Sequence, residues 1–132
     1  MLSKIDHIGI AVKDLNEILD TFKDGFGLEP TFIEEVPDQE VKIAGFKFAD
    51  SAVEYIEPTS PESPVSRFLE KRNNALHHIA FTVADLDKSL KDLKEKGFDL
   101  IDEIPRKGAQ NSRIAFLHPA SFNGILIELC ES

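Results

Sequence analysis

The amino-acid sequence predicts an α+β fold with two tandem βαβββ modules in a single domain of 132 residues. Three observations lead to this prediction. The stretch DHIGIAVKDL, which begins at Asp6, recurs as HHIAFTVADL from His77. In both copies, a segment of strand length rich in β-branched and aromatic residues leads into a segment of helical periodicity. Three further strand-like segments, separated by turn residues, follow each predicted helix.

The repeat has an offset of 71 residues, which aligns His7 with His78. Between residues 6–24 and their counterparts, seven of 19 positions are identical. A shared amphipathic pattern accounts for some of the matching Leu and Ile residues. It does not account for the matching histidines, nor for the pair Asp14 and Asp85.

The first module is predicted over about residues 4–58. Its first strand, HIGIAV, leads to Asp14, whose carboxylate can accept the free N–H groups of a first helical turn. Glu17 follows at the spacing of a capping box. Apolar residues then recur at the helical period and two glycines close the helix: Leu15, Ile18, Leu19, Phe22, Gly25 and Gly27. The strands PTFIEEV, VKIAGFKFA and AVEYIEP complete the module.

A short helix is predicted to connect the modules over about residues 62–74, with Ser63 as its N-cap and Pro64 in its first position. The second module, over about residues 75–132, repeats the order of the first. Its strand HIAFTV leads to Asp85 as N-cap, and Gly97 closes the helix. The strands LIDEIP, SRIAFLH and GILIELC follow.

Composition excludes some classes of function for this protein. The formal net charge of −9 argues against nucleic acid and against an anionic membrane, because both carry phosphates that would repel the protein. The single cysteine, Cys130, cannot form an intramolecular disulfide, and the N-terminal residues have no apolar signal region. No apolar run approaches the roughly 20 residues of a membrane span. We therefore expect a cytoplasmic protein.

Two carboxylates stand at unusual places, on the last predicted strand of each module. Glu128 interrupts the apolar run of GILIELC, and Glu54 lies between Val53 and Tyr55. A carboxylate on a buried strand costs free energy unless it is paired, neutralised or bound to a cation. If the first and last strands of each module are neighbours, both glutamates could meet His7 and His78. Two imidazoles and two carboxylates are typical ligands of a divalent metal and can leave positions open for substrate.

Simpler explanations exist for each residue taken singly. A histidine on a strand can be a hydrogen-bonded core residue, and Glu128 can be the partner of a Lys or Arg. His77 is expected on the opposite strand face from His78 and is interpreted either as a residue that supports a ligand or as structural. His118, which precedes a proline at a turn, is interpreted as structural too.

The segments DHIGIAV, EYIEPTSPESPVSRFLEKR, LHHIAFTVADL and FLHPASFNGILIEL closely resemble the methylmalonyl-CoA epimerase family. That family belongs to the vicinal oxygen chelate superfamily, together with glyoxalase I. The resemblance implies βαβββ modules whose mixed sheet curves around one divalent metal ion (Co, Mn, Ni or Zn) and a homodimer. By position, it implies these metal ligands: His7, Glu54, His78 and Glu128.

The implied reaction is removal of a proton next to a carbonyl, with Glu128 as ligand and acid/base and Glu54 as its counterpart. An epimerase would act on an acyl-CoA thioester. The set of two His and two Glu also fits a glyoxalase I-like lyase, which acts on a glutathione hemithioacetal. A third alternative is a protein that binds a small molecule without reacting, as antibiotic-sequestering members of the superfamily do, although these often lack the ligands.

The sequence departs from the epimerase pattern in places. Glu40 stands where a glycine is usual, and Ile43 stands where an epimerase carries a glutamate proposed for proton transfer. Loops expected to border the substrate also differ, at Gly108–Asn111 and Phe122–Gly124. Near the first of these loops lie three basic candidates for substrate binding, Arg106, Lys107 and Arg113, whose positive charge could offset the repulsion of CoA phosphates. Gln110, in the loop itself, is a fourth and uncharged candidate. The alternative is a solvated surface loop.

Overall fold

A computed structural model describes residues 1–131 of the chain. Its strands are β1 (Leu2–Ala11), β2 (Phe32–Val36), β3 (Val41–Phe48), β4 (Ser51–Pro58), β5 (Ala75–Val83), β6 (Arg106–Lys107), β7 (Arg113–Leu117) and β8 (Ile127–Glu131). Its α-helices are α1 (Leu15–Phe26), α2 (Pro64–Glu70) and α3 (Leu86–Glu95). The order βαβββ therefore occurs twice, with α2 between the two copies, and the predicted α+β class is confirmed. Among the described residues, no helix has the length and apolar character needed to cross a membrane.

The chain forms two compact units. The first unit comprises Met1–His7 together with the chain from His78 onward, and the second unit comprises Ile8–His77. Strand β1 therefore contributes its beginning to the first unit and its end to the second.

In the second unit, β2, β3 and β4 form antiparallel pairs, and β4 also neighbours β1. Helix α1 begins where predicted, because the Asp14 carboxylate accepts a hydrogen bond from the N–H of Asn16. It ends at Gly27, whose φ of 64° lies in the left-handed region that favours glycine. One core cluster of this unit comprises Val12, Leu15 and Ala44, with Ile10, Ile18, Leu19 and Tyr55 packed against them.

In the first unit, the strand order is β1-β5-β8-β7-β6. Strands β5 and β8 are parallel, whereas β8, β7 and β6 pair antiparallel, so the sheet is mixed. Helix α3 is capped by the Asp85 carboxylate, which accepts from the N–H of Lys88. The helix covers this main core cluster: Val83, Leu86, Leu90, Ala115, Leu117 and Leu129.

The segment LIDEIP, predicted as a strand, is not one. Leu100 makes only an isolated bridge to Leu117, and the strand of this region is the two-residue β6 that follows. The reason is local: the Asp102 carboxylate accepts from the N–H of Phe116, while the N–H groups of Ile101 and Asp102 both donate to the Phe116 carbonyl. A side chain thus takes the place that a strand's carbonyl would occupy in a regular ladder.

Candidate metal centre

His7 and His78 face each other inside the first unit, on β1 and β5. Their Nε2 atoms lie 3.0 Å apart, and their rings are nearly perpendicular, at 88°. Both side chains are buried, with exposed fractions of 5% and 3%. Side chains alternate between the two faces of each strand, and both imidazoles lie on the face that points to the interior, as the repeat predicts.

Glu128 joins this pair from β8, the parallel neighbour of β5, where it lies opposite Ala80. One carboxylate oxygen, Oε2, lies 3.4 Å from Nε2 of His7, and the other, Oε1, lies 3.4 Å from Nε2 of His78. Only 4% of Glu128 is exposed. The structure therefore brings together three of the four residues that the sequence selected as ligands, because the two strands that carry His78 and Glu128 are neighbours.

The donor set of these three residues fits a divalent metal. Three ligands on one face of a coordination sphere, each bonded at roughly 2.1 Å, lie about 3.0–3.4 Å from one another. The two Nε2 atoms lie 3.0 Å apart, and each lies 3.4 Å from a different oxygen of the Glu128 carboxylate. Imidazole with carboxylate suits Zn, Co, Ni and Mn. A cation here would also balance a carboxylate whose burial is otherwise costly.

Asp6 supports His7 from the far side of the imidazole. The Nδ1 atom of His7 lies 2.8 Å from Oδ2 of Asp6, and the Thr82 hydroxyl donates to Oδ1 at 3.3 Å. The hydrogen bond from His7 holds the pKa of Asp6 below its ordinary value, although burial of the carboxyl acts to raise it. Sequence reasoning did not identify this contact, because adjacent strand residues normally point to opposite faces.

Cys130 is a second residue that sequence reasoning did not place at the site. Its buried thiol donates to Oε2 of Glu128 at 2.9 Å. The sequence holds a signal for it, because residues two apart on a strand share one face. Phe116 adds an apolar wall, with its ring edge-to-face against His78 at a centroid distance of 5.5 Å.

Glu54, the fourth predicted ligand, lies in the second unit. It is buried on β4, with 9% of its surface exposed, and it pairs in register with Gly45 of β3. A Cβ at Gly45 would meet the Phe32 ring, so the strand beside Glu54 carries no side chain at this position. The assignment of Glu54 as a ligand and acid/base stays a prediction.

The two remaining histidines have structural environments. The ring of His77 packs edge-on against Phe68 in the second unit, and burial, together with the charge of Arg72, lowers the pKa of His77 to about 4. His77 is therefore neutral at physiological pH. The Nδ1 atom of His118 accepts from the N–H of Ala120, at the start of the short 3₁₀ helix Pro119–Ser121.

Both arginines near the Gly108 loop have acidic partners in the first unit. Arg113 bonds Glu131 at 2.7 Å and Asp87 at 3.0 Å, and Arg106 lies 3.5 Å from Asp102. Lys107 pairs in register with Arg113, and Gln110 lies in a turn with a left-handed φ of 55°. Because these partners compensate both arginines, only part of their charge is available to an anionic substrate. The substrate-binding role of these four residues stays a prediction.

Comparisons with known proteins agree with this architecture. Residues 6–116 match the profile of the glyoxalase/bleomycin resistance protein/dioxygenase superfamily. The uncharacterized protein YqjC of Bacillus subtilis is 41% identical over 130 residues, which cover 98% of this chain and 93% of that protein. The ethylmalonyl-CoA/methylmalonyl-CoA epimerase of Cereibacter sphaeroides is 32% identical over 131 residues, with 98% of each chain covered. A variant of Streptomyces coelicolor methylmalonyl-CoA epimerase, solved in complex with 2-nitronate-propionyl-CoA, has a TM-score of 0.94 and 37% identity, covering 100% of this chain and 99% of that one.

Proposed function

Because the chain belongs to the glyoxalase/bleomycin resistance protein/dioxygenase superfamily and has methylmalonyl-CoA epimerases among its relatives, we propose that it is a metal-dependent epimerase of an acyl-CoA thioester. The observation that carries this proposal is the buried trio of His7, His78 and Glu128, whose donor atoms converge within 3.0–3.4 Å. The relatives named as epimerases point to methylmalonyl-CoA or a close analogue as the substrate.

In this proposal, His7 and His78 hold the metal through Nε2 and Glu128 holds it through its carboxylate. Glu54, the counterpart of Glu128 in the repeat, is the proposed fourth ligand. When bound, a divalent ion supplies Lewis-acid stabilisation of the negative charge that develops on a substrate carbonyl oxygen. The identity of the ion is proposed only as one of Co, Mn, Ni and Zn, all of which accept such ligands.

Epimerisation requires proton transfer on both faces of the carbon next to the carbonyl. Glu128 is the proposed base, because its burial excludes water and strengthens its interaction with a proton at that carbon. Ile43 is a buried aliphatic residue of β3 and cannot carry the second proton. We therefore assign the second transfer to Glu54, with Glu40 as the weaker candidate, since the Glu40 carboxylate already accepts a hydrogen bond from the Ser60 hydroxyl.

Proton–deuterium exchange tests this function. The protein is incubated with methylmalonyl-CoA in D₂O with Co²⁺ or Mn²⁺, and deuterium at C2 is followed by mass spectrometry. We expect exchange by the wild-type protein and its loss in Glu128→Gln, which keeps the side-chain shape but cannot accept the proton. Absence of exchange while metal is demonstrably bound would overturn the proposal.

A second candidate is a glyoxalase I-like lyase, which is favoured by one specific observation. The fourth ligand position is a buried glutamate, Glu54, and the two-His, two-Glu set is the one expected for that enzyme. The ultraviolet absorbance of a thioester product, formed from the methylglyoxal–glutathione hemithioacetal with Ni²⁺, Co²⁺ or Zn²⁺, distinguishes it. A protein that binds no divalent metal would instead favour the non-catalytic binding class. Under either enzyme function, we propose a cytoplasmic homodimer.

A further inference from the structure

The carboxylate of Asp6 contacts only one of the two ring nitrogens of His7, Nδ1. We propose that Asp6 is a positioning residue, which fixes His7 as the Nδ1–H tautomer and so leaves the lone pair of Nε2 available to a metal ion. The inference rests on the proposed metal site, and it concerns residues of the first unit only.

Asp6 and His7 are in direct contact. An ionised carboxylate can only accept hydrogen bonds, so the 2.8 Å contact between Nδ1 of His7 and Oδ2 of Asp6 requires a proton on Nδ1. A neutral imidazole has one N–H, and Nε2 is then the basic nitrogen. Nε2 is also the atom that faces His78 at 3.0 Å and Glu128 at 3.4 Å.

Asp6 is itself held in place by a hydrogen bond. Its other oxygen, Oδ1, accepts the hydroxyl of Thr82, a buried residue of β5. The Thr82 carbonyl in turn accepts the hydroxyl of Ser3, which lies on β1 three residues before Asp6. Both oxygens of the carboxylate are thus engaged, and the imidazole is bound by a group with a fixed orientation. Such partners of metal-binding histidines set both tautomer and basicity.

The two copies of the repeat differ at the position of Asp6. The position that corresponds to Asp6 in the second copy is His77. His77 packs against Phe68 in the second unit, and an imidazole cannot supply the charge of a carboxylate. The repeat therefore duplicated the imidazole but not this carboxylate, which makes His77 a matched control for Asp6.

Metal affinity provides the first measurement, by competition of the protein with a chromophoric chelator for Zn²⁺. We expect Asp6→Ala to weaken Zn²⁺ binding roughly 10- to 100-fold. Asp6→Asn should lose less of the Zn²⁺ affinity, because its amide oxygen can still accept from Nδ1. His77→Ala should bind Zn²⁺ as the wild type does. Unchanged affinity in folded Asp6→Ala would overturn the inference. If Asp6→Ala does not fold, as judged by circular dichroism, Asp6→Asn and a Thr82→Val variant, which frees Oδ1, decide in its place.

The tautomer provides the second measurement, which a merely structural role of Asp6 would not change. Long-range ¹H–¹⁵N correlation spectra of the metal-free protein, at a pH above the titration of the imidazole, should show His7 protonated on Nδ1. In Asp6→Ala, the proton should redistribute toward Nε2. A wild-type His7 protonated on Nε2 would overturn the inference. If the wild type binds no Zn²⁺, the proposed function fails, but this spectrum still decides the role of Asp6.

Discussion

The Nε2 atoms of His7 and His78 lie 3.0 Å apart, although 71 residues separate the two histidines in the sequence. The separation equals the offset of the internal repeat, so the contact joins equivalent positions of the two copies. Two basic nitrogens at this distance can share a proton or a cation, whereas two lone pairs alone would repel each other. Each copy of the duplicated strand thus provides one imidazole of the donor set.

The adjacent residues His77 and His78 should differ in their effect on metal binding. His78 directs its Nε2 to His7 and Glu128, whereas His77 packs against Phe68. Loss of a ligand costs more than loss of its hydrogen-bond partner, which already costs roughly 10- to 100-fold in affinity. We expect His78→Ala to lose most bound metal after dialysis and His77→Ala to keep it, as measured by elemental analysis. Equal losses in the two variants would contradict this assignment of strand faces.

Much of this site could be predicted from the sequence, because its residues occur at equivalent positions of the internal repeat or at the period of a strand. Repeat position and apolar context select His78 and Glu128 on the first and last strands of one module, and the structure pairs these two strands, β5 and β8. Contacts that follow no periodic pattern in the sequence could not be predicted. The Asp6 carboxylate contacts Nδ1 of the adjacent His7, and the Asp102 carboxylate accepts the N–H of Phe116 beside the segment that was predicted as a strand. Such local side-chain contacts, with another side chain or with a backbone group, leave little trace in the hydrophobic pattern.

A further unpredicted feature is a second cap on each long helix. Glu57 accepts from the N–H of Leu15 at 2.7 Å, and Glu131 accepts from the N–H of Leu86 at 2.9 Å. Each glutamate lies three residues after a buried glutamate of the same strand, Glu54 or Glu128. The caps connect the strand that carries the carboxylate to the start of a helix, within each unit separately.

Glu131 should contribute a pH-dependent part of the stability. The N–H of Leu86, followed by Arg113, holds the pKa of Glu131 below its ordinary value. The unfolded chain therefore binds this proton more readily, so Glu131 stabilises the fold above its unfolded pKa, and that contribution is lost as the pH falls through the folded pKa. We expect the urea midpoint of the wild type to fall more steeply with acid than that of Glu131→Gln.

Glu62→Gln is the matched control for this prediction, because Glu62 is an exposed carboxylate in the turn before α2. Its acid dependence should follow that of the wild type. A Glu131→Gln profile parallel to the wild type between about pH 7 and pH 3 would contradict the role of the cap.

Glycine should be required at position 45 because the Phe32 ring covers it. A Cβ at this position would lie 2.1–2.8 Å from atoms of the Phe32 ring, which would have to move. Overpacking of this kind costs about 1–3 kcal/mol of unfolding free energy. We expect this loss in Gly45→Ala, measured by urea unfolding, and a smaller loss for the same change made in a Phe32→Ala background. Additive effects of the two substitutions would mean that the ring does not set the requirement for glycine.

Cys130 should affect the metal site through its hydrogen bond rather than through its sulfur. Its thiol donates to Oε2 of Glu128 at 2.9 Å, which orients a carboxylate that is otherwise surrounded by the two imidazoles. We expect Cys130→Ala to weaken Zn²⁺ binding, by roughly tenfold or more, because Glu128 loses a donor. Cys130→Ser should retain most of the affinity, because a hydroxyl can donate in the same position. The two variants also separate sulfur chemistry from positioning: equal losses in serine and alanine variants, with the fold intact by circular dichroism, would mean that the sulfur itself is needed.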